Sequence, residues 1–236
     1  MIAARSHAGP VLRIAVLLAA FLAALCVGGN ADAQTRPVPR RPAPPSRQSF
    51  RVRGFADVGS TTFTASKSFE AVLGSASGKE FGGGVEVLLP RNLFVNLRAS
   101  RFTHSGERVF VFGGESFKLG IDTSITITPV LLTAGYRFIR PRWRVVPYGG
   151  AGVGWHGYEE TSTFATDAEN IKDRFTGYQL LGGGEFRIAK WIGAAVEAQW
   201  ATVPDALGQD PNGVSREFGD TNLGGVTYRV KLVIGR

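Results

Sequence analysis

Cysteine, methionine and histidine are almost missing from this 236-residue chain, which has one Cys, one Met and three His. One cysteine cannot form an internal disulfide, and no Cys or His pair has zinc-site spacing. No acidic run has the spacing of a calcium loop. Long hydrophobic runs are lacking too. The sustained apolar stretch at 14–27 is shorter than the roughly 20 residues a spanning helix needs. After Phe50 no apolar stripe of 3.6-residue period reaches helical length, which argues against helical bundles and α/β folds. Acid is scarce: 19 Asp+Glu stand against 27 Lys+Arg, a net +8. No basic-aromatic recognition module accompanies that excess, so nucleic acid is not an expected partner.

What is present begins with an address. Residues 1–33 read as a cleaved secretory signal: Arg5 and Arg13, then the apolar stretch, then the cleavage site Ala31-Asp32-Ala33. A lipoprotein would use Cys26, but Leu25 precedes it where a small residue is wanted. Cleavage removes the cysteine, which suits an oxidising compartment. Residues 34–49, QTRPVPRRPAPPSRQS, hold five prolines, four arginines and no acid. Such a segment cannot bury a core and reads as a disordered periplasmic tail. It is either a solvated spacer or an electrostatic contact with an anionic periplasmic surface.

From Phe50 onward, residues 50–236 alternate short turns with long polar connections. The short turns fall at 90–92, 139–143 and 189–191; the long connections run near 59–78, 103–123, 156–174 and 203–221. Between them, period two dominates. Val52, Gly54, Ala56 and Val58 oppose Arg51, Arg53, Phe55 and Asp57. Phe81, Val85 and Val87 oppose Glu80 and Glu86. Leu93, Val95, Leu97 and Ala99 oppose Asn96, Arg98 and Ser100. Val130, Leu132 and Ala134 oppose Thr133 and Arg137. Ala151, Val153 and Trp155 oppose three glycines. Leu180 and Phe186 oppose Gln179, Glu185 and Arg187. Val196 and Trp200 oppose Glu197 and Gln199. Val230 and Leu232 oppose Arg229 and Lys231. The rhythm predicts an all-β, eight-stranded antiparallel up-and-down transmembrane β-barrel, with short periplasmic turns and long extracellular loops.

A soluble sandwich alternates as well, but buries its apolar face. The secretory signal and two aromatic belts favour the inverted arrangement. Phe94, Phe138, Trp143, Tyr148, Phe186 and Trp191 lie near the short turns, and Phe63, Phe102, Trp155 and Trp200 toward the long loops. Such belts match the girdles at the two bilayer interfaces. A Lys or Arg facing lipid at the midplane costs about 2–4 kcal/mol, so the charges belong inside. The expected lumen therefore holds Arg53, Asp57, Glu80, Glu86, Arg98, Arg137, Glu185, Arg187, Glu197, Arg229 and Lys231. Either they form a structural ion-pair network or they line a narrow aqueous path. Eight strands leave room for little beyond side chains, and inward glycines at 82, 84, 150, 152, 154 and 183 make space for the arginines. An even strand number puts both termini in the periplasm.

No catalytic, cofactor or metal site is expected. His104 and His156 stand in different hairpins with no acid at triad spacing. Gly152-Val-Gly154-Trp-His-Gly157 fits a dinucleotide fingerprint, but no βαβ unit surrounds it. Acids at 159, 160, 167 and 169 read as a solvated loop. Residues 108–121, RVFVF then GGE then SFKLGI, read as a hairpin that prolongs two strands above the membrane. Its edge could accept a protein partner's strand. Loop cations Arg108, Lys118, Lys172, Arg174 and Arg216 suit lipopolysaccharide phosphates.

The stretches TPVLLTAGYRF (128–138) and VPYGGAGVG (146–154) resemble the small outer-membrane barrels of the OmpA, OmpX and OmpW superfamily, porin-family proteins of the Gram-negative cell envelope. The resemblance covers about 50–236. It implies a monomeric, non-enzymatic outer-membrane protein serving envelope integrity or surface interaction. An OmpW-like likeness implies, alternatively, a narrow pore for small or apolar solutes, and barrel hydrolases leave a lipid-modifying enzyme as a third reading. Such barrels commonly end in an aromatic residue, whereas this sequence ends VIGR, so a variant assembly signal is expected.

Overall fold

The structure, a computed structural model, describes residues 50–112, 115–162, 171–208 and 214–235; the expected signal and tail lie outside them. The strands are β1 (Arg51–Phe63), β2 (Ser77–Leu88), β3 (Leu93–Phe112), β4 (Glu115–Arg137), β5 (Val145–Ser162), β6 (Ile171–Arg187), β7 (Ile192–Thr202) and β8 (Gly225–Gly235). They form a closed barrel in chain order. β1 pairs antiparallel with both β2 and β8, from Arg53↔Gly235 to Phe63↔Gly225 on the β8 side. Closure matters because an open strand edge in hydrocarbon has nothing to hydrogen-bond.

The register sets the shape. From Arg53, successive partners are Glu86, Asn96, Thr133, Gly152, Gln179, Ala201 and Gly225, and the path returns to β1 at Phe63, ten residues above its start. Such a stagger in an eight-stranded barrel goes with strands tilted by about 35–45°. The path stays on the inward face and climbs as it circles the barrel.

The first short turn is a single 3₁₀ turn, Pro90–Asn92. Arg91 and Asn92 both take left-handed backbone there, at φ 63 and 65. Pro90 presets the turn's first φ, and Asn tolerates the left-handed region better than most residues.

β3 has 20 residues and β4 23, about twice what a crossing needs. The surplus is a ribbon, paired from Glu107↔Asp122 to Phe112↔Glu115, with an irregularity between Glu107 and Val109.

The long first connection departs from expectation. β1 runs on to Phe63, and a helix, α1 (Ser66–Leu73), follows. Phe69 and Leu73 bury one face, and Gly74 ends the helix in the left-handed region at φ 74, its N–H donating to Glu70 O at 2.9 Å. Two turns of helix carry too few apolar positions to register as a stripe. A second short helix, α2 (Val214–Glu217), sits in the last long connection. α1 enters the long-loop end of the barrel, against Phe63, Phe102, Ile125, Ile127 and Leu223.

Candidate functional site: the barrel lumen

Alternation carries ten charged side chains into the lumen, where all ten are buried. At the short-turn end, two arginines and two glutamates make a floor. Arg53 donates from both terminal nitrogens to Glu185 at 2.9 Å and also binds Glu86. Arg137 donates to Glu185 at 2.8 Å and to Glu86 at 3.3 Å. Its guanidinium lies 5.4 Å from the Tyr148 ring centre.

Above the floor stands Glu197. It accepts from Lys231 at 3.1 Å and Tyr148 Oη at 3.0 Å, and Arg229 Nε lies 3.0 Å from its other oxygen. Lys231 Nζ also sits 4.2 Å from the Phe55 ring centre. Across the lumen Arg98 grips Asp57 with two bonds, 3.0 and 2.6 Å, and reaches Glu80 and Ser100 at 2.8 Å each. Thr61 donates to Glu80 at 2.5 Å, and Arg229 is further held by Gln199.

The ten divide into five cations (Arg53, Arg98, Arg137, Arg229, Lys231) and five carboxylates (Asp57, Glu80, Glu86, Glu185, Glu197), so the buried formal charge is zero. Burying an ion is costly unless partners and hydrogen bonds replace its water, and a missing partner is worse than no pair at all. That requirement explains the shared acceptors and the hydroxyls around them.

Arg187 does not join this network. It shares inward parity but is the last residue of β6, opposite Gly193, and is exposed at the rim. Beyond the Glu185 level its side chain reaches water.

The aromatic belts also need correction. Phe138, Trp143, Phe186 and Trp191 are exposed on the outside at one end, and Trp155 and Trp200 at the other. Phe94, Phe102 and Tyr148 are instead buried inside, at 1%, 3% and 5% exposure, and Phe63 likewise at 6%. Nearness to a turn fixes depth along the barrel; parity fixes the face. Phe94 and Phe102 share parity with Arg98, and Tyr148 with Gly150. Phe94 packs edge-on to Tyr148 at 6.0 Å.

The long-loop end is apolar. Phe69 of α1 stacks on Phe63 at 4.4 Å, and Phe102 meets Phe63 edge-on at 5.0 Å. Leu73, Val203, Leu207 and Leu223 complete this lid. The Ser68 backbone N–H and hydroxyl both donate to Asp220 Oδ2, at 3.0 and 2.7 Å, tying α1 to the last connection. Between lid and charges lies a cavity of about 40 Å³ lined by Thr61, Glu80, Phe102, His156, Gln199 and Thr227. That is room for a few waters at most. His156 is buried here, whereas His104 is half exposed and stacks beside Phe102 at 6.2 Å. The two pair with different neighbours, Pro129 and Ile125. Among the described residues no three His, Cys, Asp or Glu group as metal ligands.

Ser100 and Gln199, set on the inward face by alternation, join the network as neutral partners. Tyr148 as an inward donor, Thr61, and Ser68 with Asp220 as a clasp were not singled out from sequence. Parity could have found Tyr148 and Thr61. No local signal marks the clasp.

A closed eight-stranded barrel, apolar outside and charged but neutral inside, defines a transmembrane β-barrel of the outer-membrane type. The chain matches the outer membrane protein beta-barrel domain over residues 17–212 and belongs to that family. The family implies the bacterial outer membrane. No curated protein matches the chain. Among solved structures, it is similar to a major outer membrane protein from Thermus thermophilus, with TM-score 0.54, 12% identity, and coverage of 80% of this chain and 100% of that one. Neisserial surface protein A gives TM-score 0.47 and 11% identity over 78% and 96%. OprG of Pseudomonas aeruginosa gives 0.40 and 18% over 79% and 92%. Identities this low speak for the fold alone.

Proposed function

We propose that this protein is a non-enzymatic, non-conducting outer-membrane scaffold, with both termini periplasmic, whose extracellular ribbon carries its interactions. One observation carries the reading: the lumen is closed twice, by a neutral ion-pair floor and by an apolar lid. An ion entering would have to displace paired charges that hold each other at 2.6–3.3 Å. A pore that selects ions by side-chain charge keeps one sign in excess, and the described lumen residues keep none.

The ribbon supplies the interaction surface. Phe110 and Phe117 pair across it and are 56% and 49% exposed, with Leu119 beside them at 52%. β5 pairs with β4 no higher than Thr123↔Ser162, so β4 from 116 to 122 offers an unpaired edge among the described residues. An extracellular protein partner would add a strand there.

Purified protein in planar lipid bilayers tests the closed lumen. The expected record shows no unitary steps at any applied voltage. Reproducible single-channel steps would sink the reading and favour a narrow pore. A shift in lipid A mass on expression would favour a lipid-modifying enzyme instead.

A further inference from the structure

Between β2 and β3 lies a groove of about 630 Å³, lined on the outer, membrane-facing side by Ser77, Lys79, Phe81, Arg101 and Thr103. Its volume falls in the roughly 300–1,000 Å³ range of small-ligand sites. Phe81 pairs with Arg101, and Lys79 stands two residues before Phe81 on the same face. Lys79 and Arg101 are therefore diagonal cross-strand neighbours, about 7–8 Å apart at their backbones.

Both cations are exposed on the lipid-facing side. Neither has an ion-pair partner among the described residues, and Arg101 makes one described side-chain bond, from Nε to Thr103 Oγ1 at 3.3 Å. Their surroundings are hydroxyls: Ser60 opposite Lys79, Thr62 bonded to Ser77 at 2.8 Å, and Thr103 against Thr126 at 3.3 Å. On β3 and β4 the carboxylates of this face, Glu107 and Asp122, lie on the ribbon, at least four residues above Thr103; Glu159 of β5, opposite Thr126, lies 3.9 Å from Lys172.

Height decides what fills the groove. Ala99, Val130 and Trp155 occupy one hydrogen-bonded row; the stagger lifts that row by about two residues from β3 to β5, and Arg101 lies two residues above Ala99. The cations therefore sit level with the long-loop-side tryptophans, at the edge of the hydrocarbon, where headgroups begin. Two lipid-facing cations at that level, without an ion-pair partner among the described residues, match an anionic headgroup.

We propose that Lys79 and Arg101 bind a phosphate of an outer-leaflet lipid headgroup, with the acyl chains running down over Phe81. This rests on the orientation proposed above, with the long loops outside. The site is distinct from Arg108 and Lys118, which lie on the ribbon.

The test uses the full mature chain, purified and delipidated in detergent, titrated with diphosphorylated lipid A and read by native mass spectrometry. A basic residue at an anionic surface is worth about fivefold in affinity, so Lys79→Gln with Arg101→Gln should weaken binding about 30-fold. Arg144→Gln with Lys190→Gln, exposed cations at the short-turn end, should leave it within about twofold. Fully dephosphorylated lipid A should bind wild type as weakly as the groove variant binds the phosphorylated form. Equal affinity of wild type and groove variant, both shown folded by their heat-dependent gel shift, overturns the site. Displacement by equimolar inorganic phosphate overturns the lipid as its ligand. Orientation is read separately, by protease on intact cells: cleavage in the ribbon supports it, and protection overturns the outer leaflet while leaving the affinity result intact.

Discussion

Glu197 is a hub of the lumen, because Arg229, Lys231 and Tyr148 all converge on it. Glu197→Gln leaves two buried cations without a full counter-charge. The expected loss is about 3–5 kcal/mol, measured by urea unfolding of protein in vesicles. Adding Lys231→Met restores neutrality at four cations and four carboxylates, and should recover part of the loss. A cost for Glu197→Gln no larger than the ~0–1 kcal/mol of an exposed pair, such as Lys118–Glu107 at 3.6 Å, would show that the network is not what holds the lumen. Gly183 supports the same hub by absence. A Cβ there would meet Val196 O at 2.5 Å and the Tyr148 ring at 2.9 Å. Gly183→Ala must therefore push Tyr148 off Glu197, at about 1–3 kcal/mol of overpacking. An unchanged unfolding midpoint would mean that the ring has room to move.

Among the elements, α1 is held by few contacts with the chain next to it and by much from far away. Asp220 accepts two bonds from Ser68, 152 residues distant in sequence, and acts as a cap on a helix whose own preceding residue, Ala65, provides none. Losing such a cap costs about 0.5–2 kcal/mol locally. Asp220→Ala should speed amide exchange across 66–73 while the barrel's unfolding midpoint holds; unchanged exchange would remove the clasp from the account. These elements also show what was legible in the chain. Period two reads out every strand and most facings, because one face must meet lipid and the other must not. The interior position of Phe94, Phe102 and Tyr148 was contained in the same parity. α1 was not legible, since eight residues show barely two turns of pattern. Nor was the pairing of Arg53 with Glu185, 132 residues apart. Which cation meets which carboxylate depends on the ten-residue stagger, a property of closure that no single strand encodes.

At the scale of the whole molecule, the proposed closed lumen has two seals in series. The floor's two arginines and two glutamates neutralise each other in direct ion pairs. The lid is a buried apolar cluster that includes Phe63, Phe69, Phe102 and Leu223. Conductance in series is set by the worst segment, so breaching one seal opens nothing. Replacing 65–75 by a short Gly-Ser linker removes α1 and exposes the small cavity, yet the ion pairs below remain. Arg53→Gly with Glu185→Gly keeps the lumen neutral and opens the floor, yet the lid remains. Each change alone should give silent bilayers, and only their combination should give unitary steps. The combined channel should show little preference between potassium and chloride, because the remaining lumen charge is still balanced, four against four. Steps from the lid variant alone would mean that the ion-pair network passes ions, and the lumen would then be a gated pore whose gate is α1. Strong anion or cation selectivity in the combined variant would mean that the remaining pairs do not neutralise one another at the constriction.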